Sequence, residues 1–267
     1  MNMDRNFHPR KLNANTWLFD GDGSYSYLIL GEKKALMVDT GMSKGNLRAY
    51  AEQFTDLPIA VVNTHGHFDH TGGNGYFDEV YVHTAGVEIA RKPFGDGEGF
   101  PLDYEITPVE DGYVFDLGGT QVEVISIPAH AESSIALLDH KNRVLYTGDE
   151  VECGQVLLGG FARAQGSNRV RAHLKNMLML KGREDEYDII YPGHNGTPID
   201  KSYIDQFIEL DTRVLDGMPG SRDMYSRVLP DYMCEKFTAQ AEQGNALRAE
   251  YMGASIIYDP NNAAKKD

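Results

Sequence analysis

The sequence predicts an α/β fold, and three observations carry that prediction. The first third of the chain is dominated by β-rich runs. Beyond it, strands alternate with stretches of helical periodicity. Finally, four apolar, β-branched runs each end in a small or turn-forming residue and then a histidine or an aspartate. In α/β sheets, functional groups gather just past strand ends because the loops there converge.

Residues 25–30 and 35–39 are β-rich, and Gly31-Glu32-Lys33-Lys34 between them reads as a hairpin turn. Thr40-Gly41 breaks the second strand. Leu47, Tyr50, Ala51 and Phe54 then recur at helical spacing, which predicts an amphipathic helix after Ser43 that Pro58 closes. Residues 59–62 read as a buried strand, 80–82 as a short strand and 85–91 as a short helix. The glycines, prolines and phenylalanines of Lys92-Pro93-Phe94-Gly95-Asp96-Gly97-Glu98-Gly99-Phe100-Pro101 predict no regular structure over 92–108. A loop of that length is either a mobile surface excursion or a lid, with Phe94 and Phe100 as its aromatics.

Strands resume at 113–115 and 121–127, then at 135–138 and 144–146 across a turn at Lys141-Asn142. A helix is predicted over 169–181, with Val170, Leu174, Met177 and Leu178 on one face. A short strand at 188–191 precedes a helix over 201–216, where Ile204, Phe207, Ile208 and Leu215 form a stripe and Gly217 the C-cap. Residues 254–258 read as a last strand and 261–267 as a polar tail; the stretch before them shows no clear pattern. The organisation read from this is one domain over 1–267, with 92–108 as a lid candidate and 218–267 as a C-terminal region.

A chain of 267 residues with 41% hydrophobic content has ample material for a core. Its net charge of -15 argues against a nucleic-acid backbone or an anionic membrane as partner. The two cysteines, Cys153 and Cys234, are too few for a disulfide framework and read as reduced thiols. The N-terminal residues carry no apolar signal region, and no run reaches the length of a membrane span, so a cytoplasmic location is expected. Tyr225 and Tyr232 in the C-terminal region leave a homodimer open.

The chemistry concentrates in Thr64-His65-Gly66-His67-Phe68-Asp69-His70-Thr71-Gly72-Gly73. Imidazole nitrogens and a carboxylate at this density suit a borderline metal such as zinc. Histidines also gather in terminal tags and solvated loops, but this cluster is internal and follows a strand. Gly66 gives the backbone room to bring alternate side chains together, and Gly72-Gly73 lets it turn away. His8, His83, His140 and His173 lie outside the cluster and read as surface or packed residues, and Cys153 as an ordinary thiol.

His65-Gly66-His67-Phe68-Asp69-His70, followed in order by Pro128-Ala129-His130, Thr147-Gly148-Asp149 and Pro192-Gly193-His194, resembles the metallo-β-lactamase superfamily of metallohydrolases. The resemblance implies a four-layer αβ/βα sandwich of two mixed β-sheets flanked by helices. It implies that His65, His67 and His130 bind one divalent metal ion and Asp69, His70 and His194 a second, with Asp149 bridging. Zinc is the expected metal, with iron or manganese as alternatives. Oxygen-reducing diiron relatives carry a glutamate where this chain has His67, which favours a hydrolytic site. The activity implied is hydrolysis of a small ester, lactone or thioester, less readily a lactam, by a dimetal-bound hydroxide that Asp69 orients. Two rivals stay open: a mononuclear iron sulfur-oxygenase of the persulfide dioxygenase type using His65, His130 and Asp149, and a metal-stabilised binding protein without turnover. The chain departs from relatives at Ala131-Glu132-Ser133-Ser134, where a Thr-Pro-Gly-Ser-like turn is common, so no subfamily follows. Glu132 there is either a solvated turn carboxylate or a partner for a histidine N–H.

Overall fold

The β-rich opening of the chain forms a seven-stranded sheet. It belongs to a computed structural model that describes residues 7–21, 23–92, 99–159, 169–229 and 231–263. The chain divides into two compact units, Met1–Ser126 with Ala131–Tyr146, and Ile127–His130 with Thr147–Asp267.

In the first unit, β1 (His8–Lys11), β2 (Thr16–Gly21), β3 (Ser24–Leu30) and β4 (Ala35–Val38) are antiparallel neighbours. The chain then crosses through helix α1 (Leu47–Ala51) to β5 (Ile59–Val62), and through α2 (Phe68–Thr71) to β6 (Glu79–His83). Helix α3 (Val87–Ala90) leads to β7 (Ile106–Val109), and β4 to β7 run parallel. All four residues of β4 are buried, as expected of a parallel strand covered on both faces. Asn46 caps α1, its side chain accepting the Ala49 N–H at 3.0 Å. Phe54, just beyond α1, stacks on Trp17 and Phe19 at 4.6 and 5.5 Å between ring centroids.

The same unit continues with β8 (Val114–Asp116), β9 (Gln121–Ser126), β10 (Ile135–Asp139) and the first three residues of β11 (Val144–Gly148), each strand antiparallel to the next. The expectation of no regular structure over 92–108 fails at its end, because β7 begins at Ile106. Three β-branched residues favour the strand, and Pro108 is tolerated because β7 is the outermost strand of its sheet.

The second unit adds β12 (Val156–Leu157), α4 (Arg169–Lys181), β13 (Ile189–Pro192), β14 (Ile199–Asp200) and α5 (Tyr203–Leu215). It closes with α6 (Asp231–Gln243), β15 (Leu247–Tyr251), β16 (Ala254–Tyr258) and α7 (Pro260–Ala263). β13 and β14 pair antiparallel, and a separate sheet has the order β12-β16-β15. Met224, Ala241, Ala246 and Ile257 form a buried cluster in this unit. Residues 260–263, read as the edge of a polar tail from 261 onward, instead form the α7 turn, with Ala263 buried.

The apolar face assigned to α4 is rotated in the structure. Val170 and Met177 are buried as expected, but Leu174 is only partly so and Leu178 is 53% exposed. His173, Asn176 and Leu180 take the inward positions instead. A buried histidine and asparagine do not register in an apolar pattern, so apolar spacing alone selects Leu174 and Leu178 in place of Leu180. On α5, Ile204 and Phe207 are buried as expected, but Leu210, Asp211 and Val214 complete the inward face and Ile208 and Leu215 lie at its margin. Leu180→Ala should therefore cost about 2–5 kcal/mol of unfolding free energy, whereas Leu178→Ala should stay within about 0.5 kcal/mol of wild type. Urea denaturation of the two variants checks the phase of the helix.

Candidate metal centre

Four of the seven candidate ligands stand on one turn of the first unit. β5 runs out at Val62, and Asn63 and Thr64 turn the chain so that His65 and His67 project together. His65 Nε2 lies 2.9 Å from His67 Nδ1, and the rings of His65 and His70 are 4.2 Å apart between centroids. Asp69 Oδ2 stands 3.9 Å from His70 Nε2. Gly66 is needed for a different reason than backbone freedom: a methyl group there would lie 2.8 Å from the Gly86 carbonyl oxygen. Close packing is likewise the constraint at Gly72, where a Cβ would meet the Gly41 carbonyl oxygen at 2.7 Å.

Asp39, which the sequence reading passed over, organises this turn. It sits at φ 58°, a left-handed conformation that aspartate tolerates better than most residues. One carboxylate oxygen accepts the Thr64 N–H at 2.7 Å. The other accepts the Thr64 hydroxyl at 2.7 Å and His70 Nδ1–H at 2.8 Å. Since the Thr64 hydroxyl proton points to Asp39, its oxygen accepts from His65 Nδ1, 3.2 Å away. Behind this, Asn63 donates to the His70 carbonyl at 2.7 Å, and Asn74 donates to Asn63 at 2.8 Å. Ser133 Oγ accepts the Gly66 N–H at 3.2 Å.

The other three candidates belong to the second unit. His130 Nε2 lies 3.6 Å from Asp149 Oδ2, and His194 Nε2 lies 3.3 Å from Asp149 Oδ1. His130 Nδ1 donates to the Leu157 carbonyl at 2.9 Å. Glu150, fully buried, accepts the backbone N–H groups of Ala129 and His130 at 3.0 and 2.6 Å on one carboxylate oxygen. Gly193 N–H reaches the Gly148 carbonyl at 2.8 Å, which ties the turn carrying His194 to the end of β11.

These contacts test whether the donors suit a metal ion. On His65, His70 and His130, the Nδ1 partner can only accept, so Nδ1 is the donor and the neutral ring keeps its lone pair on Nε2. Metal-binding histidines need that state and that kind of outer partner. The donor chemistry therefore fits a borderline divalent ion.

Of the remaining sequence candidates, Phe100 rests on Phe68 with the rings edge to face at 5.0 Å, while Phe94 lies outside the described residues. Glu132 is exposed. The Cys153 thiol donates to the Asn195 carbonyl, and burial, with help from Glu152, raises its pKa. That suits the inert thiol expected of it.

The family is shown: the chain belongs to the metallo-beta-lactamase superfamily, which residues 19–194 match. Among individual proteins, it is 29% identical over 171 residues to the acyl-coenzyme A thioesterase MBLAC2 of Homo sapiens, covering 51% of this chain and 61% of that protein. It is 28% identical over 215 residues to the mitochondrial hydroxyacylglutathione hydrolase of Saccharomyces cerevisiae, covering 75% of this chain and 70% of that one. The chain thus spans 61% of the length of the thioesterase relatives it matches. The solved metallo-beta-lactamase FIM-1 from Pseudomonas aeruginosa, in a mono-zinc form, superposes with a TM-score of 0.61 at 16% identity, over 81% of this chain and 98% of that one. A metallo-beta-lactamase from Pontibacter korlensis superposes at 0.60 with 21% identity, over 77% and 99%. Likeness at this identity shows the fold alone, which is the αβ/βα sandwich expected from the sequence.

His173, read as a surface or packed residue, is fully buried between α5 and the 149–150 turn. Its Nδ1 meets Asp211 Oδ2 at 2.7 Å, and its Nε2 donates to the Glu150 carbonyl at 2.8 Å. Burial pushes its pKa down, but Asp211 and Glu150 more than reverse this and lift it to about 9. A histidine raised in the folded state stabilises fully below its ordinary value near 6.5 and loses that contribution as pH rises through 9. Asp211→Asn should remove this dependence. Urea midpoints of the metal-free proteins at pH 6 and pH 9 should show the wild type losing on the order of 3 kcal/mol relative to the variant.

Proposed function

We propose that this chain is a metal-dependent hydrolase of small thioesters and related esters. In this reading His65, His67 and His130 hold one ion, and Asp69, His70 and His194 a second, with Asp149 shared. The observation that carries it is the Nδ1 partner on three of these histidines, which leaves each ring ready to ligate. Relatives that are an acyl-coenzyme A thioesterase and a hydroxyacylglutathione hydrolase support a thioester as the preferred substrate. Divalent ions, zinc first among them, would supply Lewis acidity and ionise a water near neutral pH.

The chain's own groups do the rest. Asp69, half-buried beside His70, orients the attacking water and takes up its proton. Oxygen adds to the acyl carbon, the C–S bond breaks, and the proton held by Asp69 passes to the departing sulfur, so that a thiol and an acid are released. The edge-to-face pair Phe68 and Phe100 offers an apolar surface next to Asp69 for the acyl group. No helix among the described residues is long and apolar enough to cross a membrane. With a net charge of -15, the reading is of a cytoplasmic protein with a small-molecule substrate rather than nucleic acid or membrane. Tyr225 and Tyr232, 50% and 68% exposed, make a homodimer the assembly to look for.

A panel of thioesters, esters, lactones and lactams should show fastest turnover on a thioester. Chelation, or His65→Ala, should lower that turnover on the order of 10³-fold, the several kcal/mol that bound metal supplies. Turnover that survives chelation, or none on any acyl substrate, would end this reading.

A further inference from the structure

We propose that Glu150 and Arg169 form a clamp that positions His130 for metal, held in place by the buried His173–Asp211 pair. This rests on the reading of His130 as a ligand, and it assigns positioning roles to four residues outside the candidate ligand set.

The polar backbone groups of Ala129 and His130 are taken up by two charged side chains. Both N–H groups go to one oxygen of Glu150. Both carbonyls accept from Arg169 Nη1, that of Ala129 at 3.2 Å. The imidazole is fixed separately, through Nδ1 to Leu157. The dipeptide is therefore gripped from its donor side by the residue after Asp149 and from its acceptor side by the first residue of α4. Residues 129–134 contain neither glycine nor proline, so backbone preference alone does not set this turn. Side-chain hydrogen bonds to charged groups can do so, and they are roughly twice as strong as neutral ones.

Glu150 would be a poor anchor if it could move. Its own carbonyl is held by His173 Nε2, and Asp211 on α5 holds the other face of that ring, with both side chains fully buried. Because Glu150 follows Asp149 directly, the same anchor constrains two candidate ligands. Glu150 itself spends its oxygen on backbone N–H groups, which marks it as a positioning residue.

Cobalt(II) binding separates this role from a general contribution to stability. The full chain, stripped of metal, is titrated with Co2+ alone and followed by its visible absorption. Glu150→Ala should bind Co2+ about 10–100-fold more weakly, the usual effect of losing an outer partner, with an altered ligand-field spectrum. Glu150→Gln, whose amide oxygen can accept the same N–H pair, should restore most of the affinity. Leu180→Ala, a core variant whose apolar side chain takes part in none of the clamp's hydrogen bonds, should bind as wild type does. Wild-type affinity in Glu150→Ala, or equal weakening in Leu180→Ala, would overturn the clamp. If Glu150→Ala does not fold, Asp211→Asn carries the test: weakened binding supports the proposal and unchanged binding overturns it. A wild-type protein that binds no Co2+ would instead overturn the ligand reading, and the clamp with it.

Discussion

An imidazole ligates only through a nitrogen that carries no proton, and in solution either nitrogen can carry it. The structure resolves that ambiguity with acceptors. Asp39, the Thr64 hydroxyl and the Leu157 carbonyl each take an Nδ1–H, so in the neutral ring it is the opposite nitrogen that holds the lone pair. Neither unit could serve a metal ion as it stands if these acceptors were displaced, whatever its histidine content. The left-handed Asp39 supplies the acceptor for His70, and the buried Asn63–Asn74 pair holds the His70 carbonyl from behind.

That requirement explains why polar groups are buried in an otherwise apolar core. Asp39, Asn63, Thr64, Glu150, His173 and Asp211 are almost fully removed from water, and burial of such groups is costly without partners. Each has a partner, and the partners connect the candidate ligands to rigid elements. In the first unit the connection runs through the end of β4 and the turn after β5. In the second it runs through α4, α5 and the short sheet that contains β12. Leu157 makes the last link concrete: β12 pairs with β16, the last strand, and also presents its carbonyl to His130. The C-terminal sheet thereby belongs to the support of the candidate site.

The chain's regular elements were legible where burial is apolar and periodic. The strand at 59–62, the limits of α4 and the last strand at 254–258 all follow from runs of branched or periodic residues. What escaped has a physical reason in each case. Helix α6 buries only Cys234 and Ala241, too sparse a stripe to stand out. Strand β15 buries only Ala249 and alternates it with charges. The strand at 106–109 was hidden behind a glycine-rich stretch and a proline. The candidate ligands stood out because histidine is rare and clustered. Their partners did not, since Asp39 lies 31 positions from His70 and Asp211 lies 38 from His173. A local reading of sequence has no access to pairs at that separation. The one nearby hint was the polar Asp-Thr-Gly closing a buried strand at 39–41.

The most direct test is the protonation state of the rings before any metal is added. Long-range 1H–15N spectra of the metal-free protein at neutral pH report which nitrogen of each histidine holds the proton. The account predicts the Nδ1–H tautomer for His65, His70 and His130. Rings averaging between tautomers, or protonated at Nε2, would contradict it.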